Sequence, residues 1–263
     1  MKKNLTAFSV LFFTLLFLFV TYLFYTPVKH YVSREWEYHT GEPTAAERQV
    51  HDYARRHRIP YGKYPEELIT LLGNNPETAD FVLGYPTRQP MEETIFDREE
   101  VPLFLQWDPR WGYETYGSSF LAITGCGPTC LAMAGYYLTG DNVMLPHKVA
   151  AFAEEHGFYV DGKGSAWALM TEGAQMLGLT GTELPLKQEV MEQVLTEEGT
   201  PIIASVGQGD FTSAGHFILL TGVEEGGFRV NDPNSILRSE RLWTFEQLEG
   251  QIRNLWAIGV SEK

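Results

Sequence analysis

Two cysteines stand four positions apart in "TGCGPTCLAMAGYYLTG", Thr124 to Gly140. A thiol can ligate a metal, pair as a disulfide, pack as a small apolar group, or attack an electrophile. A zinc site requires further soft ligands at compatible spacing. Cys126 and Cys130 are the only cysteines, and the seven histidines form no His-x-x-x-His or His-Glu-x-x-His pair. No metal or other cofactor is therefore expected. A disulfide between residues four apart across a helix start rarely has suitable geometry. Packing and reactivity remain open on this stretch alone.

The flanks of the two cysteines differ. Gly125 and Gly127 bracket Cys126 and permit close backbone approach, and Pro128 is preset for a first helical turn. The interior "CLAMAGYYL" is apolar nearly all round, which describes a buried helix. Its N-terminus gathers unpaired N–H groups and positive dipole at Cys126, where they stabilise a thiolate and offer a pocket for an oxyanion. Cys130, a turn further in, reads as core.

A reactive thiol needs a base, a group that orients the base, and an oxyanion donor. His216 opens the apolar run "HFILLTGV", and Asp232, sixteen residues later, closes "FRVND", so a hairpin could set the two side by side. Gln106 ends the apolar run "VPLFLQ" with an uncharged amide donor. Taken singly, each is ordinary punctuation of strands and turns. Taken with a glycine-flanked Cys at a helix start, they favour catalysis.

The elements that must position these residues follow from periodicity. Helices are expected over Pro43 to Arg58, twice within "YPEELITLLGNNPETADFVLGYP", from Pro128, and over Pro146 to His156, Ser165 to Leu177 and Lys187 to Glu198. Strands are expected over Pro201 to Val206, His216 to Val223, Gly227 to Asp232 and Asn254 to Val260. A late helix in "TFEQLEGQI" carries the capping-box spacing of Thr244 and Gln247. Helices first and an antiparallel sheet second is an α+β plan.

At the other end, Leu5 to Tyr25 is apolar and free of charge, long enough to cross a hydrocarbon layer of roughly 30 Å. It lacks the small-x-small ending of a cleaved signal peptide. Lys2 and Lys3 precede it, so the expectation is an uncleaved single-pass anchor with a cytoplasmic N-terminus and an extracytoplasmic remainder. The expected organisation is an anchor over 1–30, a helical lead-in or stalk over 31–97, and a catalytic domain over 98–263. A net charge of −14 with no basic stripe argues against a nucleic-acid partner.

The segments "VPLFLQWDPRWG", "GCGPTCLAMAGYYLTG", "GHFILLTGV" and "VNDPNS" resemble, in order and context, the papain-like cysteine peptidases related to the bacteriocin-processing, double-glycine-leader peptidases, family thirty-nine of the cysteine peptidases. The resemblance spans about Val101 to Val260. It implies a papain-like fold with the nucleophile helix packed on the antiparallel sheet. It also implies Cys126 as nucleophile, His216 as general base and acid, Asp232 as the group that orients His216, and Gln106 as oxyanion donor. Twenty residues separate Gln106 from Cys126, against a few in the transporter-linked members. The expected function is hydrolysis of a peptide amide in a peptide or protein substrate. A peptidoglycan-stem amidase with the same chemistry and a catalytically silent peptide-binding domain are the alternatives. Trp107, Trp111, Tyr113 and Tyr116 read as core before cleft, and Gly207 to Gly215 as a mobile loop ahead of His216.

Overall fold

The computed structural model describes residues 42–90, 95–197 and 199–261. They divide into two compact units between Arg58 and Ile59. The membrane span expected over Leu5 to Tyr25 lies outside the described residues. Among the described residues, no helix is long and apolar enough to cross a membrane.

The first unit contributes helix α1, Ala45–His57. Thr44 and Glu47 cap it reciprocally, Glu47 N–H donating to Thr44 Oγ1 at 3.2 Å and Thr44 N–H to Glu47 Oε2 at 2.6 Å. Arg58, in the left-handed region at φ 56°, ends it.

The second unit begins with α2, Glu66–Asn74, and α3, Ala79–Gly84, the latter entered through a 3₁₀ turn over Pro76–Thr78. A small hairpin of β1, Thr115–Tyr116, and β2, Ser119–Phe120, leads into the single turn α4, Leu121–Thr124, and then into α5, Cys126–Thr139. After α6, Pro146–Glu155, come the ribbon β3, Tyr159–Val160, with β4, Gly164–Ser165, the short α7, Glu172–Met176, and β5, Leu179–Glu183. Helix α8, Gln188–Thr196, precedes β6, Ile202–Val206, β7, His216–Glu224, and β8, Gly227–Asn231. The turn α9, Ile236–Ser239, β9, Leu242–Trp243, α10, Phe245–Glu249, and β10, Ile252–Val260, complete the unit.

Six strands form one antiparallel sheet in the order β5-β10-β6-β7-β8-β9. Its central strands are apolar on both faces because both are covered. Ile203, Phe217, Leu219, Trp256 and Ile258 enter a core built around α5 and α6, whereas Ile202, Ala204, Val206, Ile218, Leu220 and Leu255 enter a second core with α8 and α10. The alternation follows from the two-residue strand period. Helix α5 is buried without a break from Gly127 to Tyr136, which explains why its sequence shows no polar stripe. Each large aliphatic side chain hidden there contributes about 2 kcal/mol. Gly140, at φ 69°, stops the helix by donating its N–H to Tyr136 O at 2.8 Å.

The α+β plan, the four expected strands and the Thr244–Gln247 capping box are all present. The helix expected over Ser165 to Leu177 is not continuous. Ser165 pairs in β4, Trp167–Met170 form a 3₁₀ turn, and Thr171, at φ −116° and ψ −79°, distorts the backbone before α7. Buried Leu169 and Met170 fix that turn by packing in the α5 core. Strand β5 was not expected, because "LTGTE" is mostly polar; it sits at a sheet edge, where one side of the strand need not be covered.

Candidate active site

Cys126 is the first residue of α5, with Gly125 as the N-cap. The close approach at Gly127 is real. A Cβ there would lie 2.5 Å from Ser165 Oγ, so β4 presses against the first turn of α5 and only glycine leaves room for it. Ser165 is in turn fixed by a 2.8 Å hydrogen bond with the Tyr116 hydroxyl, which burial pushes up to about 12 and which therefore stays protonated.

The two thiols have opposite environments. Cys130 is fully buried, and burial, with Cys126 and Asp232 nearby, pushes its thiol well above the ordinary range. Cys126 is only partly buried. Burial pushes its thiol up as well, but the hydrogen bond and positive charge of His216, with the N–H groups of Phe217 and Gly127, outweigh burial and hold it below the ordinary value. Both cysteines are free.

His216 begins β7, opposite Val206 of β6. Its Nε2 donates to Asp232 Oδ1 at 2.8 Å, with the imidazole 8% exposed and the carboxylate fully buried. The β7–β8 hairpin makes this contact, since Leu219 pairs with Asn231 and the strand ends carrying residues 216 and 232 lie together. Burial by itself would lower the imidazole. The charge and hydrogen bond of Asp232, joined by Cys126, raise it to about 10. Asp232 Oδ1 also accepts from Asn234 N–H at 2.8 Å, and Oδ2 accepts from Arg238 Nε at 2.5 Å. Burial raises this carboxyl, but His216 and then Arg238 hold it below the usual carboxylate range.

Gln106 closes the circuit. Its backbone N–H donates to Pro233 O at 2.7 Å and its Nε2 to Ala122 O at 2.8 Å, which ties the Asp232 loop to the α4 turn just ahead of Cys126. The side chain is 3% exposed. Gln106 and Asn234 also line a cleft of about 720 Å³, whose opposite wall is the α2 helix through Glu67, Thr70 and Leu71.

The four expected residues thus come together, with Cys126, His216 and Asp232 in a line of direct contact and Gln106 bonded to both flanks. Of the aromatic cluster, Trp107 braces this arrangement. Trp107, Trp111 and Tyr116 are buried, Trp107 Nε1 donating to Asn234 O at 3.1 Å, and Tyr113 stacks on Phe81 with ring centroids 4.2 Å apart. The loop from Gly207 to Gly215 is pinned: Asp210 N–H donates to Gln251 Oε1 at 2.9 Å, and Gln251 Nε2 returns to Asp210 Oδ2 at 3.0 Å. Arg238, Asn75 and Glu77, all tied to the Asp232 loop, were given no role at the site, and neither was Asn234, although it lies within "VNDPNS". Polar turn residues of this kind are too common to be singled out. Among the described residues no cluster could hold a metal ion.

None of the curated proteins compared matches this chain. Among solved structures, it is similar to the peptidase domain of Streptococcus ComA, a bi-functional ABC transporter involved in a quorum sensing pathway, with 20% identity, 53% of this chain and 93% of that chain covered, and a TM-score of 0.40. It is also similar to a C39-like peptidase from Bacillus anthracis, with 17% identity, 65% and 100% of the two chains covered, and a TM-score of 0.37. The Peptidase_C39 like family matches residues 98–259, a span that contains Gln106, Cys126, His216 and Asp232. With more than half of its length so matched, the chain belongs to the Peptidase_C39 like family.

Proposed function

We propose that this protein is a cysteine peptidase that hydrolyses a peptide amide bond through a thioester on Cys126. The observation that carries the reading is the Cys126–His216–Asp232 line, in which the His216 imidazole bonds the buried Asp232 carboxylate at 2.8 Å and is raised, while its charge and hydrogen bond hold the Cys126 thiol below the ordinary value. In a structural pair of the same residues, nothing favours those opposed shifts.

The thiolate sulfur attacks the scissile carbonyl carbon and forms the C–S bond as the carbonyl π electrons move to oxygen. The Gln106 amide and the Cys126 N–H at the start of α5 stabilise the oxyanion. Collapse breaks the C–N bond, and His216 gives its proton to the departing amine. Neutral His216 then takes a proton from water as the water oxygen attacks the thioester. The acid leaves and the thiolate–imidazolium pair is restored. The cleft beside Gln106 is the groove for the substrate chain. Leu5 to Tyr25 anchors the protein, residues 31–97 lead away from the membrane, and residues 98–263 act outside the cytoplasm.

The test is to incubate full-length protein with peptide libraries and, separately, with purified cell wall, and to look for an acyl adduct on Cys126 by mass spectrometry. Peptide cleavage with an adduct that C126A lacks is the expected result. Release of stem-peptide fragments alone would redirect the reading to cell-wall amides. No adduct from either source, together with a thiol that reacts only above pH 8, would overturn the peptidase assignment.

A further inference from the structure

Asp232 is held in place by a part of the chain that lies outside the span matched by the family. Upstream of residue 98, the corner Asn75-Pro76-Glu77 joins α2 to the 3₁₀ turn before α3. The Glu77 carboxylate accepts from the Ser235 hydroxyl, from Ile236 N–H at 2.8 Å and from Leu237 N–H at 3.1 Å. It therefore takes up the free N–H groups at the start of α9, which otherwise have no acceptor within the helix. Two residues earlier, Asn75 Nδ2 donates to Asn234 O at 2.6 Å.

What α9 carries makes this more than a cap. Ser235 Oγ accepts from Arg238 N–H at 3.1 Å, and Arg238 Nε reaches Asp232 Oδ2. Ser239 Oγ accepts from Asp232 N–H at 2.9 Å. The orientation of the carboxylate that faces His216 thus depends on α9, and α9 depends on Glu77. The charged and titratable groups around Asp232 are His216 from β7, Arg238 from α9 and the Cys130 thiol of α5. Glu77 stands on the far side of Ser235.

We propose that Glu77 is a positioning residue for the Asp232–His216 pair, so that the helical segment before the family span is a working part of the site rather than only a lead-in to it. The proposal rests on the peptidase reading for its effect on turnover, whereas its effect on the thiol can be read without a substrate.

The experiment measures iodoacetamide labelling of Cys126 against pH, followed by peptide mass spectrometry, in wild type, E77A, E77Q and Y113F. Y113F removes the 2.7 Å bond from Tyr113 to Phe81 O, which ties the same segment down away from Asp232. Wild type should label below the ordinary thiol range. E77A should shift its half-labelling point upward by about one pH unit, and lower kcat ~10–100-fold with KM little changed. E77Q keeps one carbonyl acceptor for the α9 N–H groups and should fall between the two, and Y113F should follow wild type. If E77A does not fold, E77Q decides: a reduced kcat at unchanged KM supports the proposal and an unchanged kcat overturns it. A low wild-type profile that E77A leaves unmoved, or that Y113F shifts as far, overturns the proposal alone. A wild-type thiol that labels only above pH 8 overturns the peptidase reading and the proposal with it.

Discussion

Replacing Asp232 by Asn removes one charge and little shape. The remaining oxygen can still accept from His216 Nε2 and Asn234 N–H, both at 2.8 Å. With the two charge centres about 4 Å apart and an effective dielectric constant of about 20, the lost attraction is about 4 kcal/mol. That is worth about three pH units in the titration of the imidazolium. His216, raised to about 10 in the intact site, should then lose its proton near pH 7. Arg238, stripped of its carboxylate partner, pushes in the same direction. The sign for activity follows from the pair: turnover needs a thiolate, present above the Cys126 pKa, and an imidazolium, present below the His216 pKa. In wild type the alkaline limb of kcat/KM should lie near 10, and in D232N it should descend toward 7 while the acid limb rises, because the thiolate loses the imidazolium that stabilises it. The assay is a pH series of kcat/KM beside a pH series of iodoacetamide labelling. An alkaline limb that stays near 10 in D232N would refute the assignment of Asp232 as the source of the raised imidazole.

Three further outcomes follow from the same geometry. C126A should abolish turnover while C130A, a small change in a fully buried side chain, should retain it and cost about 1 kcal/mol in urea melts; equal losses would contradict the division of roles. Q106A should lower kcat by ~10²–10³-fold with KM less affected if its amide serves the oxyanion, and a change in KM alone would reassign it to binding. G127A places a Cβ against Ser165 and should destabilise the protein by about 1–3 kcal/mol in thermal melts, with turnover falling as well, whereas an unchanged Tm would show that β4 can retreat without cost.

The placement of the proposed reactive residues was legible because each sits at a boundary that local chemistry announces. Cys126 stands where glycines and a proline start a buried helix, and His216 and Asp232 bound two strands of strong apolar pattern joined by a Gly-rich turn. Those cues act within a few residues, which is also their limit. The break at Thr171 depends on Leu169 and Met170 being drawn into the α5 core, a tertiary demand that overrides helical periodicity. The rim before His216 read as mobile from its glycines, and its bonds at Asp210 to Gln251, some forty residues on, are marked by no local pattern. Glu77 read only as the start of a helical turn, since nothing local in the sequence marks its contacts across more than 150 positions.

The 158-residue separation between Glu77 and Ser235 bears on how the chain is made. Synthesis runs from the N-terminus, and contacts of such long range are the slow ones to close. Cys126 and its helix leave the ribosome about a hundred residues before the Asp232 loop that completes the charge pair. Until that loop arrives and docks on the early-made α2–α3 corner, the thiol has no fixed imidazolium to ionise it. Under the proposed peptidase reading, a growing or partly folded chain therefore lacks the fixed charge pair on which cutting would depend.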